Sequence, residues 1–135
     1  MIDTPFVGKW LYRSFRNEPT HKDELAELLF GEGELEITAS PLGTLKGRFD
    51  FGGGFGLDVR GSLELGSPFT ARFQGVGTGI AAAWIYDYIG YLVPAWPAGI
   101  DQRPAIVGSV IRTVPHDGGA AKAGFVASFI AVKKD

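Results

Sequence analysis

Asp87 is the only formal charge between Val76 and Ile100. A carboxylate in so apolar a run must be hydrogen-bonded, paired or protonated, because burying a lone charge is expensive. Arg112, in the apolar segment that follows, is its natural partner. Together they would form either a ligand anchor or a structural ion pair, and Asp87 is the candidate catalytic acid or base. The aromatic residues Trp10, Tyr12, Trp84, Tyr86, Tyr88 and Trp96 would supply the walls of a ligand pocket, with Arg112 among its few polar groups. The competing use of the same rings is core packing and subunit contact. In an extended chain, residue 87 faces away from residues 84, 86 and 88. Asp87 and the Trp84–Tyr86–Tyr88 set therefore belong to different faces, and only one of them can line a cavity.

Trp96 stands apart, in the proline-rich stretch from Pro94 to Pro104. With Asp101, Gln102 and Arg103 it could form a lip at a barrel mouth or a subunit contact. His21 and His116 are the only histidines. His116 beside Asp117 resembles an oriented base, but the Pro115–Gly119 segment reads as a turn with an exposed histidine. Two distant histidines without a carboxylate cluster make no metal site, and no cofactor is expected. Gly75–Gly79 lacks the Lys-Ser/Thr of a phosphate loop and reads as a hairpin turn. Glu32, Glu34 and Glu36 read as the solvated exterior of a strand.

The chain has no cysteine, which removes disulfides, thiolate catalysis and Cys-ligated metals. Its net charge of -2 and the lack of a basic stripe argue against nucleic acid. The stretch from Val76 to Ile100 is apolar enough to raise the question of a membrane span, but Asp87, Gly90, Pro94 and Pro97 interrupt it. The start of the chain shows no basic region followed by an apolar run, so a cytoplasmic protein is expected.

The elements that must hold these residues are strands. Apolar and polar residues alternate through 33–38, 44–51, 57–64 and 69–74, separated by Ser40–Gly43, Gly52–Gly54 and Gly66–Pro68, the signature of a meander. Phe6–Phe15 reads as a first strand. His21–Leu29 reads as the one short helix, started by Thr20 and Asp23, although a strand beginning near Leu28 competes for it. Residues 82–93, 105–113 and 124–132 are apolar on both faces. Their outer face should be covered, most simply by another copy of the chain. The sum is a single all-β domain over 1–135, an up-and-down antiparallel barrel of about eight strands, with a two-sheet sandwich as the alternative.

Phe6-Val7-Gly8-Lys9-Trp10 resembles the opening strand of the calycin-like barrels: lipocalins, fatty-acid-binding proteins and avidins. The resemblance implies that Gly8 opens that strand and Trp10 plugs the closed end. The Arg-x-Tyr that closes the fatty-acid carriers is absent from the last strand, as is the arginine that covers the tryptophan in lipocalins. The resulting expectation is a non-catalytic, homo-oligomeric barrel that holds a small apolar or amphipathic ligand. The alternative is a cyclase, isomerase or hydro-lyase acting on an apolar substrate through Asp87 or a tyrosine.

Overall fold

Two-residue alternation sends every second side chain inward, and eight such strands close on themselves. A computed structural model describes residues 4–20, 24–93 and 96–134. The strands are β1 (Gly8–Arg16), β2 (Leu29–Thr38), β3 (Thr44–Gly52), β4 (Phe55–Glu64), β5 (Thr70–Gly79), β6 (Ile85–Leu92), β7 (Ala105–Arg112) and β8 (Val126–Lys133). Each pairs antiparallel with the next, and β8 returns to β1, placing Tyr12 opposite Ala131 and Trp10 opposite Lys133. This is a closed barrel and not a sandwich; closure removes the exposed strand edges that would otherwise pair between chains. No described helix is long and apolar enough to cross a membrane.

The expected helix is reduced to a single 3₁₀ turn at Leu25–Leu28. Residues 21–23, which include His21 and Asp23, lie outside the described residues. Leu25 remains exposed, so the leucine stripe has no surface to bury against, and Leu29 instead pairs with Phe15 as the start of β2. The other correction concerns Gly75–Gly79, which is the end of β5 and not a turn. The turn follows at 80–83. Gly75 and Gly77 point inward: a Cβ on Gly75 would lie 2.8 Å from Leu57 Cδ1 and 3.5 Å from a Tyr88 ring carbon. Bare backbone on this row leaves room for the large rings opposite.

The same economy operates between β6 and β7, where Gly90 faces Gly108. The Phe129 ring fills the space above Gly90, and a Cβ on Gly108 would come within 1.8 Å of the Ile89 carbonyl oxygen.

One end of the barrel is plugged. Trp10 is fully buried, its indole Nε1 donating to the Phe6 carbonyl at 2.9 Å. Lys133 Nζ stands 5.9 Å from the centre of the Trp10 ring, a cation over an aromatic face. A lysine thus covers Trp10, where the sequence offered no arginine. Gly8 has φ 141°, and a Cβ there would meet the Lys133 stem at 2.9 Å, which is why glycine opens this strand.

Candidate functional site

The opposite end is not filled. Strand ends carrying Ser14, Phe51 and Arg112, with strand starts carrying Phe30 and Phe55, surround a cavity of about 330 Å³. Its floor is a set of packed rings. Tyr12 meets Phe49 edge-on at 4.9 Å, Tyr88 stacks on Phe73 at 4.8 Å, and Phe51 stacks on Phe49 at 5.2 Å. Leu57 and Val110 complete the apolar wall. Aromatic surfaces with few polar groups are the usual composition of a small-ligand site.

A linked set of polar groups comes from β6, β7 and the β7–β8 connection, while Ser14 of β1 and Glu32 of β2 line the cavity from other strands. Arg112 Nε donates to the Tyr86 phenol oxygen at 2.9 Å, and that oxygen lies 2.8 Å from His116 Nε2. A phenol has one proton to give. Its oxygen accepts from Arg112 and has a second lone pair, so it either directs that proton at His116 Nε2 or accepts one from it, according to the imidazole tautomer. His116 Nδ1 lies 3.1 Å from Asp117 Oδ1, but off the line of a hydrogen bond, so this buried nitrogen has no aligned partner.

His116 was expected to be an exposed turn residue; its side chain is only 4% exposed. The cause is backbone geometry. Asp117, Gly118 and Gly119 take positive φ values of 56°, 68° and 92°, and His116 and Ala121 bridge each other through backbone hydrogen bonds of 2.9 and 3.1 Å. This tight reversal turns the imidazole back over the barrel mouth, where it stacks on Trp84 at 4.4 Å.

Burial pushes the Tyr86 hydroxyl above its ordinary pKa, opposed by the hydrogen bond and charge of Arg112. Burial also drives Tyr12 and Tyr88 far above the ordinary phenol range. All three phenols are therefore held protonated at neutral pH.

The structure brings Tyr12, Trp84, Tyr86, Tyr88 and Arg112 around this one cavity. It does not bring Trp10, Trp96 or Asp87 there. Trp10 is the plug at the far end. Trp96 is 69% exposed in the β6–β7 connection, at the same end as Trp10, and its backbone is held from both sides by the Gln102 side chain. The expected lip of Trp96, Asp101, Gln102 and Arg103 therefore lies at the wrong end of the barrel; Arg103 ties down the carbonyls of Lys133 and Lys134 instead.

Asp87 is on the outer surface, accepting from Gln74 Nε2 at 2.9 Å, with Ile111 opposite on β7. It cannot meet Arg112, which pairs with Tyr86 on the inward face. An acid–base role for Asp87 inside the barrel is thereby corrected. Phe30 and Phe51 were not singled out in advance, and His116 was weighed only as an oriented base or an exposed turn residue. Phe51 follows Phe49 at strand spacing, so alternation alone could have found it. Comparison with protein-family models, with curated proteins and with solved structures gives no match.

Proposed function

We propose that the chain is a small-molecule-binding barrel that holds a compact apolar or amphipathic ligand at the unplugged end, without turnover. The observation that carries this reading is the ring-walled cavity of about 330 Å³ with the linked set Tyr86, Arg112 and His116 at its rim. Ligand sites begin at roughly 300 Å³, so the guest is small.

A second reading is supported by the aligned chain Arg112–Tyr86–His116. In the tautomer that carries its hydrogen on Nε2, His116 donates to the phenol oxygen, which leaves the Tyr86 proton free to act as general acid on an apolar substrate with His116 resupplying it, in an isomerase, cyclase or hydro-lyase. One experiment addresses both readings. Organic solvent extraction of the purified protein, followed by mass spectrometry, is expected to release a compound of this size, and adding it back should change the emission of Trp84. The Trp84→Phe variant should lose that signal, because Trp10 and Trp96 lie at the other end. A compound returned unchanged supports the carrier; a compound returned altered supports the enzyme. An empty extract, together with no emission change for any small aromatic probe, contradicts both.

We also propose that a second copy covers the outer face of β6–β8. Outward Ile89, Tyr91, Ile111, Val126 and Ile130 are 37–47% exposed in the single chain. Pairing register sets Tyr91, Val107 and Ile130 side by side, and Ile111 next to Val126. The edge of this patch has both signs of charge. Asp87 lies on β6, while exposed Arg60 and Arg72 on β4 and β5 make no ion pair among the described residues. A patch that carries apolar surface and both charges can be its own complement about a two-fold axis. Light scattering is expected to give a dimer, converted to monomer by Ile89→Glu with the fold intact. A monomer at every concentration for the unaltered chain contradicts this.

A further inference from the structure

Arg112 is a cation without an anion. Its guanidinium carbon lies 5.3, 5.6 and 5.5 Å from the ring centres of Phe30, Tyr86 and Phe125. Nε donates to Tyr86 and Nη1 to the Lys122 carbonyl at 3.3 Å. Among the described residues no carboxylate pairs with Arg112, and Nη2 has no protein acceptor. Three rings crowd the guanidinium, and ring faces are weak acceptors for its hydrogens. The in-plane edge, where the N–H groups point, is left largely unused. A planar group with two acceptor oxygens matches that edge, and the pairing is charge-assisted.

The rest of the cavity limits the charge of the guest. The other formally charged side chains that line it are Glu32 and Asp117, both exposed and both negative. No second cation lines it to neutralise a doubly charged group. The walls deeper in are rings and aliphatic side chains, which favour a flat apolar body.

We infer that the guest is a compact aromatic monocarboxylate, its carboxylate on the free edge of Arg112 and its ring among Tyr12, Phe51 and Tyr88. This rests on the binding reading above and adds the chemical class of the ligand. Tyr86 and His116 are positioning residues here: the phenol holds Nε, which orients the guanidinium.

Isothermal titration with three probes tests it: 2-naphthoate, the neutral 2-naphthylmethanol and naphthalene-2,6-dicarboxylate. On the unaltered protein, 2-naphthoate is expected to bind about tenfold or more tighter than the alcohol and tighter than the dicarboxylate. Added salt should weaken the acid and leave the alcohol unchanged. Arg112→Met keeps an apolar stem against Phe30 and Phe125 and should remove the preference for the acid. Melting curves show whether that variant folds, and the salt series on the unaltered protein needs no variant. Equal binding of acid and alcohol would overturn the carboxylate assignment and leave the cavity reading standing, as would a preference for the acid that survives in Arg112→Met. No heat from any probe would overturn both.

Discussion

Trp10→Ala is expected to lower folding stability by about 3–5 kcal/mol, the range for removing a fully buried large aromatic side chain. Three losses coincide at this position. The apolar area of the indole leaves the plugged end, the Phe6 carbonyl loses its donor at 2.9 Å, and Lys133 loses the ring beneath its ammonium group. The remaining hole sits between Phe6, Leu35 and Lys133, where neighbouring strands pair on both sides and cannot collapse inward. Trp96→Ala is the internal control. Its side chain is exposed, and its loss should change stability by no more than about 0.5 kcal/mol. Urea unfolding followed by circular dichroism separates the two; equal midpoints for both variants would mean that Trp10 is no plug.

Stability should hold level up to about pH 10 and then fall steeply. Tyr12 and Tyr88 are almost wholly buried, and their rings meet edge-on at 6.2 Å. Burial is the largest cause of the upward shift in both, so their folded-state pKa values exceed the value near 10 of an unfolded tyrosine. The sign follows from proton counting. Above pH 10 the unfolded chain releases these protons while the folded chain keeps them, so rising pH draws the equilibrium toward the unfolded state. The stabilisation is complete below the unfolded pKa and is lost as pH climbs toward the folded values. Each phenol contributes a slope of up to about 1.4 kcal/mol per pH unit. Tyr86 shifts in the same direction and steepens the fall. Tyrosinate absorbance and far-ultraviolet dichroism should therefore change together, and the Tyr12→Phe/Tyr88→Phe double variant should flatten the alkaline limb. Ionisation of these tyrosines at ordinary pH within an intact fold would contradict their burial.

The barrel was legible because its first five strands alternate cleanly, as in Leu35 and Ile37 against Glu34 and Glu36. Gly52–Gly54, at φ of 81°, 63° and 86°, forms the hairpin its composition implied. In β6 the alternation showed two faces but could not say which turned inward, because Ile85, Ile89 and Tyr91 are as apolar as Tyr86 and Tyr88. The choice is made by neighbours: inward Gly75, Gly90 and Gly108 leave volume for rings, and only the face bearing Trp84, Tyr86 and Tyr88 aligns with them. Trp96 was misplaced for a different reason. In an up-and-down barrel, strand parity puts the β6–β7 connection at the end where β1 begins, beside Trp10, so counting strands would have removed it from the site. His116 was not legible. Its inward turn depends on a positive φ at Asp117, and nothing in that residue's type demands it. The 3₁₀ turn at Leu25–Leu28 shows the same limit, since tertiary pairing of Leu29 outweighs a leucine stripe with nothing to pack against.

A crystal structure of the protein soaked with 2-naphthoate addresses the cavity at the unplugged end without intermediaries. Electron density for the naphthalene ring should lie inside the barrel above Tyr88, with its carboxylate against Arg112. A structure in which Phe30, Phe51 and Trp84 have closed into that space, or in which the compound is found only on the outer surface, would show that the barrel is a packed core with no room for a guest.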